Sequence, residues 1–191
     1  MKKFELTTNT KMHLGKKLFQ IKALISFGDV EAGELGGYIE KEENLDQSGN
    51  AWVYGDARVT GDARVYGDAR VSGNAWVTGN AWVADNARVT DNARVTDNAW
   101  VTGDARVTGD ARVTGDASYT TIKGFGREYR TTTFFRCKDG KVRVQCGCFY
   151  GDLKEFRAIV KETHGESKKA KEYLMIADLM ELHFEENEND K

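Results

Sequence analysis

The chain has 191 residues, with 28 Lys and Arg against 30 Asp and Glu, and a formal net charge of −2. This length allows one or two domains, and the near-neutral charge gives no bulk attraction to nucleic acid or to a membrane surface. No apolar run approaches the ~20 residues of a membrane-spanning helix, and the start lacks the apolar core of a signal peptide. Three cysteines argue against a disulfide framework and favour a cytoplasmic location.

The first segment, residues 1–48, predicts an N-terminal β cap. Residues 17–27, KLFQIKALISF, predict a strand, and a glycine-rich turn region follows at 28–40, GDVEAGELGGYIE. Leu45 falls in register with an alanine column that begins at Ala51. Because the end of a repeat array exposes its core and its unpaired edge, the segment before the repeat is expected to cover that end.

Residues 49–118 repeat a short unit, as in 55–83, GDARVTGDARVYGDARVSGNAWVTGNAWV. Alanine recurs at every sixth position from Ala51 to Ala117, and valine follows two places later from Val53 to Val113. Since side chains alternate across a strand, the small residues point to one side and Arg, Trp, Thr or Tyr to the other. Gly-Asp, Gly-Asn and Asp-Asn pairs tolerate positive φ and turn corners. The unit predicts a β-helix built from hexapeptides.

The spacing of Val59 and Ala63 resembles that of the hexapeptide-repeat family, over about seventy residues of this chain. The resemblance implies a left-handed, single-stranded parallel β-helix of three strands per coil, with about four coils here. GELGGYIEKEENL at 33–45 also resembles the start of bacterial and phage-borne members, which are often labelled acyltransferases on the basis of fold. This chain departs from the family in placing Thr, Tyr or Ser after valine, except at Ala84.

Three strands of six residues per coil stack the outward residues into three faces. The first face has Trp52, Arg70, Arg88 and Arg106. The second face has Arg58, Trp76, Arg94 and Arg112. The third face has Arg64, Trp82, Trp100 and Ser118, with Tyr66 next to them. Corner aspartates are expected to pair with the arginines, and the alternative is a phosphate-binding surface.

The third face is the most apolar, which predicts that something covers it. We predict an interface at Tyr66, Trp82 and Trp100. One candidate cover is a helix of the same chain containing Tyr173, Leu174 and Ala177. The other is a neighbouring subunit, and resemblance to a family of frequent trimers favours a homo-oligomer, with a trimer first.

Residues 119–185 predict a small C-terminal α+β domain, followed by an acidic tail at 186–191. The segment TTTFFRCKDGKVRVQC (131–146) predicts two strands joined by a two-residue turn at Asp139-Gly140. Asp152 and Glu155 predict a capping box for a helix at 153–163, and Ser167 predicts the start of a second helix. FFRCKDGKV, CGCF and KETHG resemble a tail domain of phage and prophage proteins, a resemblance that implies no activity.

Two groups of side chains in this domain are candidates for a site. A two-residue turn would place Cys137 opposite Val142 and Arg136 opposite Arg143. An arginine pair can receive a phosphate or a carboxylate, so the predicted ligand-binding residues are Arg127, Arg130, Arg136 and Arg143. The alternative is a solvated face. Cys137 and Cys146 are expected on one buried strand face with Val142 and Val144, which disfavours a metal site.

No catalytic residue is predicted, because an acyltransferase base is expected in or beside the β-helix and the repeat contains no histidine. His13 lies in the cap, and His164 sits at a helix end, where a cation suits the dipole. The sequence therefore favours a noncatalytic oligomeric binding or scaffold protein without a cofactor, whose partner in a phage setting would be a host protein or a small phosphorylated ligand. The alternatives are an acyltransferase and a nucleic-acid-binding module.

Overall fold

The computed structural model describes residues 2–115, 118–126 and 128–185, and the chain divides into two compact units, Met1–Asp116 and Ala117–Lys191. Ala117, Arg127 and the predicted acidic tail at 186–191 lie outside the described residues. The fold is mainly β. A β-solenoid with a strand-built cap forms the first unit, and the second is a small α+β unit.

The solenoid consists of short parallel strands that pair at intervals of one coil. Trp76 pairs with Arg58 below it and with Arg94 above it, and the other two faces follow the same rule. The strands are β4 (Trp52–Val53), β5 (Arg58–Val59), β6 (Arg64–Val65), β7 (Arg70–Val71), β8 (Trp76–Val77), β9 (Trp82–Val83), β10 (Arg88–Val89), β11 (Arg94–Val95), β12 (Trp100–Val101), β13 (Arg106–Val107) and β14 (Arg112–Val113). The first-face sheet has four strands, β13-β10-β7-β4, which confirms four coils.

The inward assignment of the repeat is confirmed. Every alanine from Ala51 to Ala111 and every valine from Val53 to Val113 is fully buried at its column position. Small side chains fill the narrow interior, while the Arg and Trp positions between them face outward along each coil. The buried columns therefore fix the direction in which each outward side chain points.

The corners explain the Gly-Asp and Asp-Asn pairs. Gly67 has a φ of +70°, and a Cβ there would approach the backbone nitrogen of Asp85 in the next coil to 3.0 Å. Asp85, Asp91 and Asp97 hold the same positive φ in one complete coil. The carboxylates of Asp85 and Asp91 accept the backbone N–H of Gly103 and Gly109, at 2.9 and 3.1 Å, and so join successive coils.

The cap contains three strands, whereas the sequence predicted one strand at 17–27 and a turn region at 28–40. Its strands are β1 (Phe4–His13), β2 (Lys16–Ala23) and β3 (Leu35–Ile39), with a short 3-10 turn at Glu42–Asn44. β1, β2 and β3 pair antiparallel, and β3 then pairs parallel with β5, so the cap extends the second-face sheet. Leu45 bridges to Val65, not to the alanine column as expected.

A buried lysine closes the open end of the first coil. The Lys3 ammonium donates to the backbone carbonyls of Ser48 and Ala51 at 3.1 and 3.0 Å, and the residue is only 2% exposed. Those carbonyls belong to the first coil, where no earlier coil can supply donors. Burial lowers the pKa of Lys3 to about 8, against an ordinary value of 10.5, although the charge of Asp46 opposes the shift.

The second unit is a four-stranded antiparallel meander packed against two helices. Its elements are β15 (Tyr119–Ile122), β16 (Thr132–Arg136), β17 (Val142–Cys146), β18 (Phe149–Asp152), α1 (Leu153–His164) and α2 (Lys168–Phe184). The capping box is confirmed: Glu155 N–H donates to Asp152 at 2.9 Å, and Asp152 N–H donates to Glu155 at 2.8 Å. Ser167 caps α2 as predicted.

The predicted register of the β16–β17 hairpin is wrong by one residue. Cys137 N–H bonds to the carbonyl of Lys141, so the loop has three residues and Gly140 takes a φ of +76°. A three-residue loop with glycine in the left-handed region is a standard alternative to the two-residue turn. Arg136 therefore pairs with Val142, and Phe135 pairs with Arg143.

The one-residue shift separates side chains that the sequence placed together, because neighbouring register positions point to opposite faces. Arg136 and Arg143 do not face each other across the strands, and Cys137 does not share a face with Cys146. The face containing Phe134, Val144 and Cys146 packs against the helices. Among the described residues, no helix is both long and apolar enough to cross a membrane.

Replacing Val83 with Asp tests the inward assignment. Val83 is fully buried between Val65 and Val101, so Val83→Asp would bury an unpaired carboxylate. We expect a loss of roughly 3–5 kcal/mol in the free energy of unfolding, measured by urea denaturation. Arg88→Asp is the matched control, because Arg88 is exposed on the next strand. Equal stability of the two variants would contradict the assignment.

The pH dependence of stability tests the role of Lys3. In the unfolded chain the lysine keeps its proton up to about 10.5, whereas in the folded chain it releases it near pH 8. The unfolded state then binds more protons, so the free energy of unfolding should rise from about pH 8 to about pH 10.5. Lys3→Met should lose this rise, and Lys2→Met, at an exposed neighbouring position, should retain it. The same slope in all three proteins would exclude Lys3 as its source.

Candidate functional site

A ladder of large side chains runs up the third face of the solenoid. We call Arg64, Trp82 and Trp100, with Tyr66, the third-face ladder. The indoles of Trp82 and Trp100 stack with ring centroids 5.0 Å apart and planes 2° from parallel. The Arg64 guanidinium lies 5.8 Å from the Trp82 ring, and Tyr66 meets Trp82 edge-on at 5.5 Å. Because β6, β9 and β12 pair in strict register, the stack follows from their sequence positions.

The other two tryptophans of the repeat, Trp52 and Trp76, pack against residues of the cap. Trp52 is fully buried and packs edge-on against Phe4 and Phe27, at 6.2 and 5.3 Å. Trp76 meets the ring of His13 at 5.0 Å, and its indole N–H donates to Thr60 at 3.1 Å. Each of these two tryptophans therefore has a covering partner within the first unit.

Trp82 and Trp100 differ from this pair, because Trp100 is 50% exposed. One expected cover for them was the helix containing Tyr173, Leu174 and Ala177. That face of α2 packs instead into the core of the second unit, where Tyr173 and Ala177 are buried with Phe134 and Phe156. The helix face is therefore already occupied.

An open groove of about 510 Å³ lies at the foot of the ladder. Arg64, Tyr66 and Trp82 form one wall, and the cap contributes Glu42, Glu43, Leu45, Asp46 and Gln47. The sequence analysis missed the cap side of the groove. The sequence feature that could have indicated it is the acidic segment at 40–46, just before the repeat.

The groove combines apolar walls with a partly neutralised acidic rim. Glu42 pairs with Lys2 at 2.7 Å. Burial raises the pKa of Asp46, but hydrogen bonds from Ser48 and the charge of Lys3 outweigh it, so its pKa falls below the ordinary value. Burial, together with the charge of Asp85, raises the pKa of Tyr66, so its phenol stays neutral. The arrangement can bind apolar and aromatic groups.

In the first coils, Arg58 and Arg70 contact residues of the cap and not the corner carboxylates predicted for them. Arg70 pairs with Asp29 of the cap at 2.5 Å, and Arg58 donates to Nδ1 of His13 at 3.1 Å. The corner carboxylates of Asp56 and Asp62 pair with Lys11 and Lys41 of the cap. In the first coils, therefore, the charged residues of the repeat fasten the cap to the solenoid.

The predicted arginine cluster of the second unit does not converge on one point. Arg136 donates to the carbonyl of Phe184 at 2.6 Å, while Arg143 pairs with Asp139 at 2.8 Å on the opposite face of the sheet. Arg130 is exposed and lies against Gly147. Arg127 is outside the described residues. A ligand held jointly by Arg136 and Arg143 is therefore inconsistent with the register.

Arg130 does line a smaller cavity, of about 290 Å³, in the second unit. Cys146, Cys148, His164 and Tyr173 line it too, along with apolar residues of β18 and α1. Burial, with the neighbouring Cys146, raises the pKa of Tyr173 to about 12. All three cysteines are free thiols. Of the four arginines predicted to bind a ligand, Arg130 is the one that lines this cavity, which is therefore a candidate ligand site.

Among the described residues, the three histidines contact arginine or aromatic side chains. His13 is half-buried, and burial, with the charges of Arg58, Lys11 and Arg94, lowers its pKa. His164 lies in the last turn of α1, as predicted, and its ring stacks on Tyr173. His183 lies in the last turn of α2 beside Phe184.

The comparisons with known proteins concern the repeat. A family model described as the YdcK beta solenoid repeat matches residues 51–67, 63–79 and 69–85. No curated protein matches the chain. The matched segments contain the buried Ala and Val columns, Trp76 and Trp82, and the similarity agrees with the coil geometry. On this similarity and on its fold, the chain is a repeat protein of the β-solenoid type.

Proposed function

We propose that this protein is a noncatalytic oligomeric scaffold, which binds further copies of itself through the third-face ladder and presents the C-terminal unit to a partner. The observation that carries the proposal is the contrast among the four tryptophans. Trp52 and Trp76 are held by the cap, whereas Trp82 and Trp100 contact each other and leave half of Trp100 exposed.

The energetic argument concerns the solvent-facing indoles. Fully burying a large apolar side chain is worth roughly 2–3 kcal/mol, so a stacked, solvent-facing pair forgoes a substantial gain. Arginine occupies the equivalent outward position at Arg64, so the fold itself does not require tryptophan there. Exposed aromatic side chains clustered on one face are typical of protein interfaces.

The proposed assembly is a closed ring of copies, with a trimer favoured by resemblance to hexapeptide-repeat proteins. The repeat would supply a stiff column, since each coil is bonded to the next through Val and corner contacts. A phage-encoded, cytoplasmic protein acting on a host protein or on a small phosphorylated ligand remains the proposed setting. The cavity beside Arg130 is the proposed position for such a ligand.

Replacing both ladder tryptophans with arginine tests the assembly. Trp82→Arg with Trp100→Arg should give a folded species of lower mass in light scattering, because arginines stacked on Arg64 would repel a second copy. The matched control is Arg88→Gln with Arg106→Gln on the first face, which should keep the parent mass. If the tryptophan variant keeps the parent mass while its circular dichroism is unchanged, the proposed interface is wrong.

The noncatalytic assignment is tested with acetyl-CoA. We expect no turnover, because the outward residues of the repeat contain no histidine and His13 is held by Arg58 and Trp76. A spectrophotometric thiol-release assay with amine and hydroxyl acceptors provides the measurement. Turnover that disappears in His13→Asn or His164→Asn would show that the protein is an acyltransferase.

A further inference from the structure

Helix α2 is apolar on two opposite sides. One side, with Tyr173, Ala177, Met180 and Phe184, forms part of the core of the second unit. The other side carries Met175, Leu179 and Leu182, which are 72%, 54% and 67% exposed. Successive gaps of four and three residues place these three side chains on one stripe, the spacing of a helix–helix seam. We call these three residues the α2 stripe.

The charges on α2 are arranged against its own dipole. Lys168, Lys169 and Lys171 lie near the helix start, whose first turn contains no acidic residue, and Glu181 and Glu185 lie at the other end, together with His183. A helix dipole favours the opposite order. Helix α1 follows the favoured order, with Glu155 in its first turn and Lys161 and His164 in its last. The reversed order in α2 therefore costs local stability and calls for a compensating partner.

We propose that the α2 stripe packs antiparallel against the same stripe of a second copy of this chain. Antiparallel packing brings the basic start of each helix beside the acidic end of the other. Centred near Leu179, it places Met175 opposite Leu182 of the second copy and Lys171 beside Glu185 of the second copy. Neither Lys171 nor Glu185 has an ion pair among the described residues. Helix α2 thus carries both the basic residues and the acidic residues that would pair across the contact.

The arrangement also places Glu172 beside His183 of the second copy, on the other flank of the stripe. Glu172 is held in an i,i+4 pair with Lys168 at 3.6 Å.

A membrane is a poorer partner for the α2 stripe, because Glu172, Asp178 and Glu185 flank the stripe and would repel an anionic lipid surface. Both the spacing of the three apolar residues and the flanking charges therefore favour a second copy as the partner of the α2 stripe.

This α2 contact is separate from the third-face ladder, since it lies in the other unit, and it does not depend on the proposed function. A twofold contact between identical patches can join two rings that are each closed by a different interface. Three side chains per copy make a small surface, so the α2 contact alone should be weak and concentration-dependent. Holding several copies together through the ladder would strengthen it by raising the local concentration.

Charge reversal tests the pairing. In full-length protein carrying Trp82→Arg and Trp100→Arg, we expect analytical ultracentrifugation to detect a weak dimer. Lys171→Glu or Glu185→Lys alone should weaken it roughly tenfold, because each change creates two like-charge contacts per dimer. Lys171→Glu combined with Glu185→Lys should restore it. Lys171→Glu should at the same time stabilise the monomer, since it puts an acid near the helix start.

A symmetric cysteine provides an independent measurement. In a Cys148→Ser background, Leu179→Cys should form an intermolecular disulfide under mild oxidation, because the seam brings the two copies of residue 179 together. Lys168→Cys is the matched control and should not, because antiparallel packing separates its two copies. Equal crosslinking at both positions would contradict the antiparallel centre at Leu179.

The outcomes separate this contact from the ladder and from lipid binding. Loss of mass in Leu179→Gln with Leu182→Gln, but not in the tryptophan variant, would support the α2 contact and refute the ladder. Failure of the double charge reversal to restore association would overturn the α2 proposal. Lipid binding would also overturn the α2 proposal. It would appear as a parent protein that does not self-associate but floats with vesicles of anionic phospholipid, while the Leu179→Gln with Leu182→Gln variant does not float.

Discussion

The strict stacking of one coil on the next is the constraint on which the rest of this structure depends. Parallel pairing repeats every coil, so each outward residue lies directly above its equivalent in the coil before. The interior admits only Ala and Val at its column positions, and corners such as Gly67 leave no room for a Cβ. Large side chains are therefore confined to the outward positions, where each strand carries either arginine or tryptophan.

That confinement gives each tryptophan a specific role. A solenoid must close its first coil, and the cap does so with Lys3 at the carbonyls and with aromatic contacts to Trp52 and Trp76. Lysines of the cap also pair with corner aspartates, so these charges fasten the cap to the first coils. Trp100 of the third-face ladder is half exposed, and self-association is the use that we propose for it.

The sequence predicted the repeat well because its constraint is local and periodic. Six-residue spacing placed Val53 to Val113 inside, and the three strands per coil implied by the family resemblance placed Trp82 above Arg64. The sequence prediction failed for the β16–β17 hairpin, where one residue of loop length decides the strand register. One extra residue in the loop at Lys138–Gly140 reversed the predicted facing of Arg136 and Arg143. The strand Phe4–His13 was missed although its partner is the adjacent strand Lys16–Ala23, because its sequence lacks a clear alternation of apolar and polar residues. The acidic side of the groove was missed because it meets Arg64 and Trp82 only through the fold.

Fluorine NMR of protein labelled with 5-fluorotryptophan tests most directly whether copies meet at the third-face ladder. The four indoles report separately, and single Trp→Phe variants assign them. On dilution from a concentrated sample, the account predicts that the signals of Trp82 and Trp100 shift and become accessible to a soluble paramagnetic quencher. Trp52 and Trp76, which the cap covers, should not change. Four signals that are equally unaffected by dilution at every accessible concentration would contradict the account.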